Sequence, residues 1–140
     1  MQIDVENPDA PLDALRNLGV FRLRVDPARA KAYARETGGN ASSVPLSYPA
    51  IWLMEPALFA PVRDICAALN VVPVHEAQSF AYETPLLSGE SYDVSVSLRR
   101  EATPPRIVID ATIFALNGVI VARIETMLRL VPGAGHGAAP

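Results

Sequence analysis

Residues 75–131 read as one long β-meander, built from runs that alternate apolar and polar positions as strands do when one face is buried and the other solvated. Ile107, Ile109, Ala111, Ile113 and Ala115 share one face of one run, and Ile120, Ala122, Ile124, Thr126, Leu128 and Leu130 share one face of the next. Asn117-Gly118 between them predicts a tight hairpin in which both central residues take positive φ, making the two runs antiparallel neighbours. Tyr92, Val94, Val96 and Leu98 face one way while Asp93, Ser95 and Ser97 face the other. The predicted strands cover 74–82, 92–100, 106–116 and 119–131, separated by Leu87-Ser88-Gly89, Thr103-Pro104-Pro105 and Asn117-Gly118.

Upstream the period changes. Residues 19–25 read as a strand with Phe21 and Leu23 on its buried face. Asp26-Pro27 is a helix start, because the carboxylate accepts from free amides of the first turn and proline fits the first helical position. That helix runs to about Thr37 with Ala30, Tyr33, Ala34 and Thr37 on its apolar side, and Gly38-Gly39-Asn40 ends it. Residues 41–47 are a loop. The run Tyr48, Pro49, Ile51, Trp52, Leu53, Met54 is too continuously apolar for a surface helix and is placed inside. Pro56 and Pro61 each mark a helix start, and from Pro61 the spacing of Val62, Ile65, Cys66 and Leu69 predicts an amphipathic helix ending near Asn70, with Arg63 and Asp64 outside.

These elements predict an α+β fold in which an antiparallel sheet packs its apolar face on a helical layer. One domain covers residues 19–131, preceded by an extension over 1–18 with at most a turn of helix near Leu12, Ala14 and Leu15, and followed by a disordered tail over 132–140. A strand of eleven residues spans roughly 36 Å, long enough for the sheet to curl round a helix. Its edges invite pairing with a second copy, so a dimer is expected.

Composition narrows the function classes. The net charge of −3 comes without a basic stripe, which excludes an electrostatic footprint for nucleic acid. A single cysteine, Cys66, allows no internal disulfide, and no Cys/His spacing fits a structural zinc site, so no metal is expected and Cys66 is assigned to packing. No apolar run approaches the eighteen or so residues a membrane span needs, and the first residues lack a signal pattern, which predicts a soluble, cytoplasmic protein. The expected partner is a small molecule or another protein.

The segment Val72-Pro73-Val74-His75-Glu76-Ala77-Gln78-Ser79-Phe80-Ala81-Tyr82, continuing through Pro85 to Gly89-Glu90, resembles part of the MaoC-like hydratase/dehydratases of the hot-dog fold, in particular the N-terminal dehydratase type that pairs with a second hot-dog unit. Phe21 to Gly38 is similar to that family's strand and helix before its catalytic loop, and Val44-Pro45-Leu46-Ser47-Tyr48-Pro49 to the approach to its central helix; together the motifs cover about residues 19–131. The resemblance implies about five antiparallel strands wrapped around a central helix. It also implies binding of a 3-hydroxyacyl or enoyl thioester on coenzyme A or acyl carrier protein, with no other cofactor, and loss of water from the hydroxy form. Family members supply base and acid from an aspartate and a histidine five residues apart, just after the Tyr-Ala helix. Here Gly39 stands where the aspartate is expected and no histidine follows over 40–48.

Two function classes therefore remain open, with a third, plainer possibility. The chain is either a subunit that binds the acyl chain while a partner carries the acid/base pair, as homodimer or heterodimer with a second hot-dog subunit, or a thioesterase in which Glu55 activates water. The third is a binding module without chemistry. His75 is a candidate for proton transfer beside Glu76, or else a structural histidine satisfying a backbone group. On a regular strand Gln78 points away from His75 and shares a side with Phe80 and Tyr82, so His75 and Gln78 do not meet in one pocket. Tyr48 and Trp52 either wall an acyl tunnel or are ordinary core, and the amides around Tyr48, Ala50 and Ile51 are candidate donors to a thioester oxygen. Arg99, Arg100, Arg22 and Arg24 either meet coenzyme A phosphates or are solvated edge residues, and His136 is given no role.

Overall fold

The computed structural model describes residues 15–38 and 43–133. Its elements are β1 (Arg16–Arg24), α1 (Pro27–Glu36), α2 (Pro49–Leu53), α3 (Pro56–Leu69), β2 (Val71–Tyr82), β3 (Ser91–Ala102), β4 (Pro105–Ala115) and β5 (Ile120–Pro132). All five strands form one antiparallel sheet in the order β1-β3-β4-β5-β2. The helices lie between the two edge strands in sequence, so the connection must cross the sheet's width. It does so on the face defined by the alternating apolar positions: Tyr92, Val94, Val96, Leu98, Ile107, Ile109, Ala111 and Ile113 share one core with Trp52, Leu53, Leu58, Val62, Ile65 and Cys66.

The helix starts follow local chemistry. Asp26 accepts from the Ala28 amide at 3.1 Å, and Pro27 opens α1. Gly38 follows α1 at φ +75°, as a left-handed cap requires, while residues 39–40 of the predicted stop lie outside the described residues. Asn70 closes α3 in the left-handed conformation at φ 58°.

Several expectations need correction. Pro56 does open α3, but Pro61 lies inside it, where its missing N–H removes one helical hydrogen bond. Leu58 extends the buried stripe of Val62, Ile65 and Cys66 one turn upstream of Pro61, which offsets that loss. Met54 is 65% exposed rather than internal, because α2 ends at Leu53 and the chain turns there toward Pro56. Thr37 is exposed and its hydroxyl bonds back to the Tyr33 carbonyl at 2.9 Å. The Asn117-Gly118 turn is wider than expected: Gly118 alone takes positive φ, its amide donates to Ala115 O at 2.8 Å, and the Ala115 amide donates to Val119 O at 2.9 Å. Asn117 keeps negative φ and uses its side-chain oxygen to accept from the Val119 amide at 3.0 Å.

Two strands, β1 and β2, begin three residues earlier than the alternation suggests. Arg16 and Asn17 already pair with Leu98 and Ser97, ahead of an irregularity at Asn17/Gly19 that breaks the pattern. Pro73 sits within β2, which tolerates it because an edge strand has one side without a ladder partner. The tail expected to be disordered from residue 132 is ordered at its start, with Pro132 paired to Val71 and the Gly133 amide donating to Asn70 O at 3.2 Å. Residues 1–14 of the expected extension and 134–140 of the tail, His136 included, lie outside the described residues.

Candidate functional site

A cleft of about 240 Å³ opens between the helical layer and the β2 side of the sheet. Ala50, Leu53, Met54 and Phe59 form its helical wall, and Pro73, His75, Gln78, Ile109, Thr126 and Leu128 its sheet wall. Three polar side chains, those of His75, Gln78 and Thr126, enter an otherwise apolar lining. Gln78 donates from its amide nitrogen to the Thr126 hydroxyl at 2.9 Å. That bond fixes the amide on the cleft floor and leaves its oxygen and second N–H for other partners.

His75 and Gln78 meet in this cleft because β2 is not regular. His75 pairs with Leu128 and Ala77 with Met127, leaving Glu76 as an extra residue without a cross-strand partner. This β-bulge shifts the side-chain phase by one. His75 upstream and Gln78, Phe80 and Tyr82 downstream therefore all fall on the inner face, opposite Leu128, Thr126, Ile124 and Ala122. The expectation that His75 and Gln78 diverge is overturned by this single inserted residue.

Glu76 itself projects to the outer face. Its carboxylate accepts from Arg106 Nε at 2.6 Å and is also held by Arg129, two arginines that oppose each other across β4 and β5. The Arg106 hydrogen bond, and then the charges of Arg106 and Arg129, keep the Glu76 carboxyl below its ordinary range. Glu76 is thus committed to arginines and is not a proton partner for His75. The outer face continues this pattern: Arg99 donates to Asp110 at 2.8 Å and lies within ion-pair distance of Glu101 and Glu125.

The remaining candidates fall in different places. Tyr48 and Trp52 are 1% and 3% exposed and form an edge-to-face pair with centroids 5.7 Å apart, continued by Tyr33 on one side and Tyr92 on the other. Both belong to the core, and neither lines the cleft. The amides of Tyr48, Ala50 and Ile51 donate to Pro45, Ser47 and Tyr48 carbonyls at 3.0, 3.0 and 2.9 Å, so a thioester oxygen finds no donor there. Ala50 instead gives the cleft its methyl group, and half-buried Ile51 packs on the core. Phe80 also packs on the core, and Tyr82 donates to the Leu46 carbonyl at 2.5 Å while burial pushes its phenol above the ordinary range. Tyr82 and Tyr33, which shares a hydrogen bond with Ser47, hold the segment leading into α2.

Glu55 pairs with Arg29 at 3.1 Å outside the cleft lining, so the water-activating role considered for it has no geometric support. Arg22 pairs with Asp93 at 2.5 Å and Arg24 donates to Gly89 O at 3.2 Å. Arg100 is 8% exposed, which corrects its reading as a solvated edge residue. Cys66 is buried, and desolvation pushes its thiol up, as a packing role implies. No cluster of metal-ligating side chains occurs among the described residues. None of their helices is long and apolar enough to cross a membrane.

Thr126 is the site residue the sequence reading did not single out. Its signal was there: it is the one hydroxyl in the inward run Ile120, Ala122, Ile124, Thr126, Leu128, Leu130.

No protein-family profile matches the chain, and no curated protein matches it significantly. Solved structures do match in fold. The C-terminally truncated HadBC (3R-hydroxyacyl-ACP dehydratase) complex from Mycobacterium tuberculosis aligns with TM-score 0.60 at 14% identity, covering 83% of this chain and 94% of that one. A MaoC-like dehydratase aligns with TM-score 0.61 at 16% identity over 92% of this chain and 44% of its own. A gentisyl-coenzyme A thioesterase aligns with TM-score 0.55 at 14% identity over 79% of this chain and 86% of its own. Five antiparallel strands closed over a helical layer, in a trace shared with these proteins, give this chain the hot-dog fold.

Proposed function

We propose that the cleft binds the acyl part of a 3-hydroxyacyl or enoyl thioester, carried on coenzyme A or acyl carrier protein, and that the chain is a dehydratase-family subunit without its own acid/base pair. The observation that carries this reading is the convergence of His75, Gln78 and Thr126 in a cleft whose other lining is apolar. An apolar slot with few, placed polar groups suits a hydrocarbon tail ending in an oxygen-bearing head. Leu53, Phe59, Ile109 and Leu128 take the tail, and the free N–H of Gln78 and the His75 ring face the oxygen functions. At about 240 Å³ the cleft lies just below the range of drug-sized pockets, which favours short acyl chains.

Elimination of water also needs a base at the α-proton and an acid at the leaving hydroxyl. Among the residues lining the cleft, His75 is the one with an acid/base side chain, and Glu76 is turned away from it. A second hot-dog subunit bringing the missing pair is consistent with β2, an edge strand whose Val72 and Val74 are 42% and 46% exposed.

Isothermal titration of the purified chain with acyl-coenzyme A esters from crotonyl to decanoyl tests the proposal. Saturable binding of at least one short chain, without hydration of crotonyl-coenzyme A at an enzyme-like rate, is expected. No binding at any length overturns the ligand assignment, and rapid hydration by the chain alone overturns the subunit role.

A further inference from the structure

Glu76 is the extra residue of the β2 bulge and also the residue gripped by two opposed arginines. These two facts bear on each other. The inward placement of Gln78, Phe80 and Tyr82 fixes the phase downstream of the bulge, because Phe80 and Tyr82 pack on the core. It does not fix where upstream the extra residue falls. Were Val74 the unpaired residue instead, Glu76 would oppose Leu128 inside the cleft and His75 would oppose Arg129 outside, with every pairing from Ala77 onward unchanged. His75 would leave the cleft while the sheet kept its core.

Charge decides between the two arrangements. In the observed one the Glu76 carboxylate lies between Arg106 and Arg129, opposed like charges that it separates; Glu101 also lies 3.7 Å from Arg106, on that arginine's side only. In the other it would enter an apolar lining and leave both arginines without it, which is costly for a carboxylate. We propose that Glu76 is a positioning residue for the acyl cleft: its clamp by Arg106 and Arg129 locks the bulge at position 76 and so presents His75 together with Gln78 to the ligand. This rests on the acyl-binding reading for its ligand, but its geometric part stands without it.

Two variants separate this role from simple stabilisation. E76A keeps the extra residue and removes the clamp. Deleting Glu76 removes the extra residue itself, so His75 opposite Leu128 and Gln78 opposite Thr126 become a regular register. Crotonyl-coenzyme A affinity should fall about tenfold in E76A, the order of one lost hydrogen bond, and stay within about threefold of wild type in the deletion. Cross-strand nuclear Overhauser contacts provide a readout independent of ligand: His75–Leu128 contacts persist in wild type and deletion, and in E76A they weaken as His75–Arg129 contacts rise. Arg129→Met, which loosens the clamp from the other side and keeps β2 at full length, should shift the contacts as E76A does. Wild-type contacts and affinity in E76A overturn the proposal, as does a deletion that loses as much affinity as E76A. If wild type binds no crotonyl-coenzyme A, the acyl reading fails, while the contacts in E76A and Arg129→Met still decide the role of Glu76.

Discussion

The Gln78–Thr126 hydrogen bond is accessible to a double-mutant cycle. Thr126 is 5% exposed and its hydroxyl accepts from Gln78 at 2.9 Å, while Gln78 is half-buried and open to the cleft. Thr126→Val keeps the branched shape and deletes the acceptor. Because water in the cleft can satisfy the freed amide, the cost is expected at the low end for a neutral hydrogen bond, about 0.5–1 kcal/mol. Gln78→Met keeps the length and deletes the donor. The Thr126 hydroxyl then lies buried without that partner, at about 1–2 kcal/mol. In the double variant two apolar groups meet, so the loss should be smaller than the sum of the singles by about 0.5–1.5 kcal/mol. Urea unfolding of the four proteins at one temperature measures this coupling. Additivity within about 0.3 kcal/mol would refute a direct bond between the two side chains.

Ile113→Ala, at a site with no exposed surface on β4, should destabilise the fold by about 2–5 kcal/mol in urea unfolding, and a loss below about 1 kcal/mol would contradict its core placement. Ala50→Phe projects a ring into the cleft mouth and should weaken crotonyl-coenzyme A binding at least about tenfold with little change in Tm; unchanged affinity would place the acyl group elsewhere. The folded Glu76 carboxyl titrates below its ordinary value of 4.5, so its stabilising contribution is complete above that pH and fades as pH falls through the lower folded value. Wild type should therefore lose Tm faster than E76Q on acidification below pH 4.5, with a constant gap above it, whereas parallel curves at all pH values would show the clamp to be inert. Asp93 beside Arg22 is depressed in the same direction, so some acid loss remains in E76Q.

The sheet was legible because its inner positions recur with period two through β3, β4 and β5, and burial follows that alternation from Tyr92 to Leu98. The capping chemistry of Asp26-Pro27 was equally local and equally readable. What escaped was each feature set by neighbours distant in sequence. The bulge at Glu76 depends on arginines 30 and 53 residues away, and no alternation rule contains them. The helix through Pro61 depends on Leu58 finding the core. Ion pairs with Arg29 and with Arg106 and Arg129 drew Glu55 and Glu76 out of the chemistry their positions suggested. The turn amides around Tyr48 and Ala50 were misread because a five-residue helix satisfies its first amides by tight local bonds. Thr126 was visible as a break in an apolar run, but its meaning depended on Gln78 arriving opposite it, which in turn depended on the bulge.

The central claim is that an acyl chain lies between Phe59 and Leu128 with its head at His75, Gln78 and Thr126. A titration of isotopically labelled protein with crotonyl-coenzyme A, followed by two-dimensional nuclear magnetic resonance, addresses it most directly. The account predicts saturable shifts concentrated on the Leu53 and Leu128 methyls, the Gln78 side-chain amide, the Thr126 methyl and the His75 ring. Shifts confined to the outer-face arginines and carboxylates, or none at saturating ligand, would contradict it.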